Sequence, residues 1–169
     1  MVFFILSKML KIFLCKNLSM NMYCNALKVK GVAFNGKPRY IDYRSYIDPI
    51  GGVFFGDNIV ISTNVIILTH DYSYTVALIS VDQKPSTDIA IIAPVKIGDN
   101  CFIGAGAIIL PGTELGDYVI VGAGAVVKGC IKSDSVVVGN PCKVIGNTKD
   151  LAKRNQAHID ELRLLIDRN

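Results

Sequence analysis

Few side chains in this chain of 169 residues can move a proton near neutral pH, and only two of them are histidines, His70 and His158. A neutral imidazole whose pKa lies near the working pH can take the proton of an attacking hydroxyl, an effect of about 10²–10⁴-fold. Asp71 follows His70 and could orient the ring, although a backbone carbonyl could do the same. His158 lies among polar residues near the C-terminus and reads as a surface side chain. Two histidines fall short of the three protein ligands that a zinc hydrolase site needs, so no metal is expected. The five cysteines, Cys15, Cys24, Cys101, Cys130 and Cys142, include no CxxC pair. A thiol route through Cys101, Cys130 or Cys142 is disfavoured, because their places in a repeat argue for buried packing and buried thiols are inert. Reduced core thiols point to a cytoplasmic setting.

The repeat that must position these groups is plainest over residues 97–132, two lines of eighteen: IGDNCFIGAGAIILPGTE and LGDYVIVGAGAVVKGCIK. An aliphatic residue returns every six positions at Ile97, Ile103, Ile109, Leu115, Val121 and Val127. Cys101, Ala107, Thr113, Val119, Ala125 and Ile131 follow four later. A helix would return at three and four, and a hairpin strand at two. A period of six with inward positions at i and i+4 fits a short strand and a turn. Three such segments close a triangular coil, and stacked coils form an all-β solenoid, a parallel β-helix. The six-residue phase starts at Ile41 and continues through Ile47, Phe55, Ile61 and Ile67, with a two-residue bulge expected within Pro49–Gly52.

These lines, together with Val138-Gly139-Asn140-Pro141-Cys142-Lys143-Val144-Ile145, resemble the hexapeptide-repeat acyltransferases, and within them the maltose, galactoside and polysaccharide O-acetyltransferases. The resemblance covers roughly residues 41–145. It implies a left-handed β-helix, a homotrimer, acetyl-coenzyme A as co-substrate and a carbohydrate hydroxyl as acceptor. It further implies that His70, at the close of a hexad just before a loop, is the general base; a backbone N–H near the loop or on the neighbouring subunit would then hold the oxyanion. The coenzyme would lie along the Gly104-Ala105 and Gly122-Ala123 turns, with Phe102 where relatives often carry a Trp. The usual Thr-Lys pair is altered: Lys128 takes the Thr position and Gly129 the Lys position, leaving Lys128 and Lys143 as candidate phosphate contacts. Acceptor amines, as in N-acetylation of an amino sugar or a xenobiotic, stay open, as does a non-catalytic scaffold.

Three regions are expected: an N-terminal amphipathic helical segment over 1–30, the β-helix over 31–147, and a C-terminal helix over 148–169. Lys8 and Lys11 interrupt the apolar residues of the N-terminus, leaving a run short of the roughly 20 residues that cross a bilayer. Residues 1–16 could pack on the β-helix or a neighbouring subunit, or lay Phe3, Phe4, Phe13 and Leu14 into the interface of the inner membrane as a peripheral contact. Residues 73–90 hold no clean hexad and read as a loop, with phase resuming at Ile91. After Val127 the phase slips by one residue and returns at Val138. Tyr40, Tyr43 and Tyr46 fall at outward positions, suited to a sheet surface, a subunit contact or a sugar ring. Leu151, Ile159, Leu162, Leu165 and Ile166 mark a helix that would cover the open end, with Thr148 as its N-cap. The net charge of +4 comes without a basic-aromatic pattern for nucleic acid, and anionic coenzyme A or a membrane surface would suit it as well.

Overall fold

Every inward aliphatic residue of the repeat stands in register with the one a coil away. The computed structural model describes residue 18 and residues 20–167. Sheet A stacks β1 (Ala33–Phe34), β4 (Val53–Phe55), β9 (Val95–Ile97), β12 (Glu114–Leu115) and β15 (Cys130–Ile131). Sheet B stacks β2 (Tyr40–Ile41), β5 (Val60–Ile61), β10 (Phe102–Ile103), β13 (Ile120–Val121) and β16 (Ser135–Val138). Sheet C stacks β3 (Tyr46–Ile47), β6 (Ile66–Ile67), β11 (Ile108–Ile109) and β14 (Val126–Val127). All these pairings are parallel, and the architecture is the expected left-handed β-helix.

Pairing of like with like makes three ladders down the axis. Phe55, Ile97 and Leu115 line sheet A, Ile41, Ile61, Ile103 and Val121 line sheet B, and Ile47, Ile67, Ile109 and Val127 line sheet C; all are buried. Burying one such side chain fully contributes roughly 1.5–3 kcal/mol, so the ladders dominate the stability. Cys101, Ala107, Thr113, Val119 and Ala125 fill the corners, as their small size allows.

At the A–B corner, Asn58, Asn100, Tyr118 and Asp134 all take positive φ, from 54° to 61°. Beside them runs a ladder of side chains, each accepting from the backbone of the preceding coil: Asp57 from Lys37 N–H, Asp99 from Asp57 N–H, Asp117 from Asp99 N–H, and Ser133 from Asp117 N–H. The repeated Gly-Asp follows from this. A Cβ on Gly98 would stand 2.5 Å from the Asp117 carboxylate and 2.7 Å from Gly116 C.

The A–B and B–C corners keep nearly constant length, whereas the C–A corner does not. Phe55 follows Ile47 by eight positions, Ile97 follows Ile67 by thirty, Leu115 follows Ile109 by six, and Ile131 follows Val127 by four. The last value corrects the expected one-residue slip: two residues are dropped, Ile131 joins the sheet A ladder, and Val137 rather than Val138 turns inward. Gly129, with φ of 84°, makes that tight corner, which accounts for glycine where the family pattern has lysine.

The thirty-residue excursion begins with β7 (His70–Asp71), which pairs antiparallel with β8 (Ile91–Ile92). Between them α2 (Ser73–Ile79) buries no residue. Ile91 therefore belongs to the excursion, and the solenoid resumes at Val95, which pairs with Val53.

A helix over residues 20–29, α1, covers the first coil with Met20, Cys24 and Leu27. Expectations for residues 1–16 lie outside the described residues. Among the described residues no helix is long and apolar enough to cross a membrane. At the other end β17 (Lys143–Asn147) closes sheet B antiparallel to β16 and carries α3 (Thr148–Arg154) and α4 (Gln156–Asp167). The N-cap is Asn147, whose side chain accepts from Lys149 N–H; Thr148 instead donates to Tyr118 O. The terminal helix is thus two helices, and α4 leaves Leu162 and Ile166 exposed rather than covering the coil with them.

Candidate active site

His70 sits three residues after Ile67, the end of its sheet C rung, where the excursion leaves the coil. Its ring Nδ1 lies 2.6 Å from Oδ2 of Asp48, a residue 1% exposed. A carboxylate can only accept, so Nδ1 carries the proton, and in the neutral ring Nε2 then presents its lone pair. Nε2 makes no hydrogen bond among the described residues, and the side chain is 23% exposed. The ring is not sealed in the core.

The partner of the imidazole is Asp48, not Asp71 or a backbone carbonyl, the two candidates that the sequence offered. Asp71 is exposed and accepts from Ser73 N–H, at the start of α2. Asp48 stands 22 positions before His70, at the end of the preceding sheet C rung, so only the stacking of coils brings the pair together. The signal that could have found it is the spacing: Ile47 pairs with Ile67, which puts the residues following them on neighbouring rungs.

Asp48 is held from several sides. Its Oδ2 accepts from Thr69 N–H at 2.9 Å and Thr69 Oγ1–H at 2.6 Å, and its Oδ1 accepts from Ile50 N–H at 3.1 Å. Burial alone pushes its pKa upward, but the hydrogen bonds from Thr69, Ile50 and His70 together outweigh that and hold it at about 2. Thr69 is fully buried, and its Oγ1 also accepts from Gly51 N–H at 2.8 Å. The bulge expected at Pro49–Gly52 is therefore part of the site's support. Gly51 itself has no room for a side chain: a Cβ would fall 2.6 Å from Thr69 O and 3.0 Å from Ala93 O.

Three exposed apolar residues are linked to this site, and one of them, Tyr72, touches the imidazole. Tyr72 meets it edge-on with ring centroids 5.4 Å apart, Ile92 is its cross-strand partner, and Ile50 is joined to it through Asp48.

The expected coenzyme residues fall on a different corner. Gly104-Ala105 and Gly122-Ala123 stack along the B–C corner. A Cβ on Gly104 would lie 2.6 Å from Ala123 N, so the glycine is needed for coil stacking whatever else it does. The N–H groups of Ala105 and Ala123 make no hydrogen bond among the described residues, whereas those of Gly106 and Gly124 bond to Thr63 O and Ala105 O. Lys143 pairs with Val138 at the end of this corner and is exposed. Phe102 projects from the outer face of sheet B, 39% exposed. Lys128 lies apart from this group, on the C–A corner that also carries His70.

Among the thiols, Cys101 is buried, and burial pushes its pKa up to about 11. Cys130 departs from the expected buried packing: it is exposed on the outer face of β15, opposite Glu114. It lines a shallow groove along sheet A with Phe54, Lys96 and Glu114, which none of the expected site residues joins. His158 is exposed on α4, 3.8 Å from Glu161.

Three parallel faces, six-residue corners and an imidazole held at the irregular corner define a β-helix of the hexapeptide class. A family profile described as bacterial transferase hexapeptide (six repeats) matches residues 94–129. The chain carries that repeat and is similar to the hexapeptide-repeat acetyltransferases. A Saccharomyces cerevisiae protein, whose name assigns it provisionally to the acetyltransferases, is 39% identical over 117 residues, which are 64% of this chain and 59% of that one. The 2,3,4,5-tetrahydropyridine-2,6-dicarboxylate N-acetyltransferase of Lacticaseibacillus casei is 53% identical over 72 residues, 43% of this chain and 31% of its own length. The chain thus spans well under two thirds of these relatives. A hexapeptide-repeat acetyltransferase from Vibrio cholerae shares the fold, with a TM-score of 0.51, 19% identity, and coverage of 69% of this chain and 61% of that one.

Proposed function

We propose that the protein is an acetyl-coenzyme A-dependent O-acetyltransferase acting on a carbohydrate hydroxyl, with His70 as general base. The observation that carries this reading is the 2.6 Å contact between the buried Asp48 carboxylate and Nδ1, which leaves Nε2 as the acceptor. The sugar hydroxyl oxygen attacks the thioester carbonyl carbon while Nε2 takes its proton. The tetrahedral adduct then expels the coenzyme thiolate as the C–S bond breaks, and the imidazolium returns the proton to sulfur. Asp48 steadies the charged ring between the two transfers. The mechanism needs no covalent intermediate on a cysteine.

The unbonded N–H groups of Ala105 and Ala123 suit the amide-bearing arm of the coenzyme, with Phe102 beside them and Lys143, and in a second place Lys128, for its phosphates. These amides and His70 occupy two different corners of the prism. A homotrimer would set the His70 corner of one copy against the amide corner of the next, and that is the assembly proposed. The exposed Tyr72 ring beside the imidazole suits the C–H face of a sugar ring.

N-acetylation of an amino sugar is the second reading, favoured by the 53% identity to an N-acetyltransferase. Thiol release from acetyl-coenzyme A, followed with free, nucleotide-linked and lipid-linked sugars and their amino counterparts, tests both. Release that depends on a hydroxyl acceptor supports the first; release only with amines overturns it. No release with any acceptor removes the enzymatic reading.

A further inference from the structure

We propose that the first-coil end of the solenoid is a docking face for an anionic membrane surface, formed by the outer stripe of α1 and the basic residues beside it. This goes beyond the residues 1–16 considered above, because the groups that make it lie within residues 18–39.

The charge of the chain is lopsided. Residues 1–41 contain seven basic residues (Lys8, Lys11, Lys16, Lys28, Lys30, Lys37 and Arg39) and no Asp or Glu, in a protein whose net charge is +4. The remainder is therefore at −3, and the positive charge belongs to the N-terminal part of the sequence, with four of the seven basic residues among the described ones. Such asymmetry marks contact with a polyanion or an anionic surface. Lys28, Lys30, Lys37 and Arg39 are all exposed. Lys28 and Lys37 line one hollow between α1 and the first corner, and Lys28 Nζ lies 5.5 Å from the Phe34 ring. The carboxylates Asp42 and Asp57 cancel only part of this charge. Asp42 is buried and paired with Arg44 at 2.9 Å. Asp57, exposed and accepting from Lys37 N–H, offsets one of the four exposed positive charges and leaves the patch basic.

Charge alone would suit any polyanion; the apolar pattern of the helix selects a bilayer. Met20, Cys24 and Leu27 form the stripe that α1 buries on the first coil. A second stripe faces away: Leu18, Met22 and Val29 are 62%, 65% and 89% exposed. At 3.6 residues per turn these three fall within about 40° of one another. An apolar stripe flanked by lysines on one helix is the pattern that lies in the plane of a headgroup layer. A nucleic acid would have no use for the stripe. The axis of the prism would then stand away from the membrane, leaving the His70 corner free along its side.

The test uses the full-length protein and co-sedimentation with vesicles, without acetyl-coenzyme A, so its outcome does not depend on the proposed activity. Vesicles of phosphatidylcholine are compared with vesicles in which about a third of the lipid is phosphatidylglycerol. Binding is expected to the second and not the first, with release at about 1 M salt, where the Debye length falls to about 3 Å. Lys30→Glu with Arg39→Glu should weaken binding more than tenfold, since each basic residue near the surface accounts for about fivefold. Met22→Gln with Val29→Gln should weaken it while the circular dichroism spectrum stays unchanged, because neither side chain touches the core. Absence of binding, equal binding to neutral vesicles, or variants that bind like the wild type would each overturn the proposal. A change of oligomeric mass in the Met22 and Val29 variant, with vesicle binding intact, would assign the stripe to a second copy of the chain instead.

Discussion

Asp48 and His70 stand on successive rungs of one corner, and the 2.6 Å bond between them is closed by the coil geometry rather than by any local motif. Thr69 serves both, because it precedes the histidine in the chain and gives Asp48 two hydrogen bonds. The imidazole is therefore fixed by groups that are themselves fixed.

Replacing His70 by Ala should lower acceptor-dependent thiol release by about 10²–10⁴-fold. The side chain is partly exposed and no ladder depends on it, so the melting temperature and oligomeric mass should stay close to those of the wild type. Steady-state kinetics with calorimetry of the same sample checks both halves. Unchanged turnover removes His70 as the base.

Asp48→Asn is expected to act on kcat while sparing the KM for acetyl-coenzyme A, because the carboxylate orients the ring and touches no part of the coenzyme in the proposed site. A loss of about 10²-fold would match removal of one group that orients a general base. Stability should respond to pH through the same side chain. Its folded pKa, about 2, lies below the ordinary 3.8, so the stabilisation is complete above roughly pH 5 and is lost as pH falls through about 2. A shift of that size corresponds to about 2 kcal/mol. Acid titration of urea unfolding should show wild type and Asp48→Asn converging toward pH 2.

Gly51→Ala tests the support of the site. The added methyl would fall within 3.0 Å of Thr69 O, Thr69 Cβ and Ala93 O, all in packed surroundings. A destabilisation of about 1–3 kcal/mol is expected from overpacking, with a fall in kcat as Thr69 and His70 are displaced. Gly106→Ala makes the control, since nothing lies within 4 Å of a Cβ there, although its φ of 67° carries backbone strain.

Tyr118 is the aromatic member of the positive-φ column at the A–B corner, with φ of 59°. Asn and Asp tolerate this region better than a bulky side chain does, and Tyr118 is half-exposed. Tyr118→Asn should stabilise by about 0.5–1 kcal/mol, because a left-handed L-residue costs about 1–2 kcal/mol and Asn less. Thermal unfolding should show a rise of about 1–4 °C.

The ladders were legible because the repeat period is written into residue types: aliphatics at Ile97, Ile103 and Ile109 are buried as their spacing requires. His70 could be singled out as a rare residue at a break in that period. Asp48 stood out by no residue type of its own; only carrying the Ile47–Ile67 phase across the eight-residue corner would have set it beside His70. For the same reason the slip after Val127 was misjudged by one residue. Apolar spacing alone allowed either Val137 or Val138 to face inward, and the pairing with Val121 selects Val137. The end-capping expected of Leu162 and Ile166 failed because amphipathic spacing says that a helix has an apolar side, not what that side meets.

Confining length changes to the C–A corner leaves the other two edges of the prism free to keep their rhythm. Segments of four, six, eight or thirty positions all return the chain to the same rung, with Ile97 seated between Phe55 and Leu115 as though nothing had intervened. New chemistry can thus be added at Pro49–Gly52 or Asp71–Pro94 without retuning the interior, much as fittings are changed along one seam of a tent while its poles stay in place.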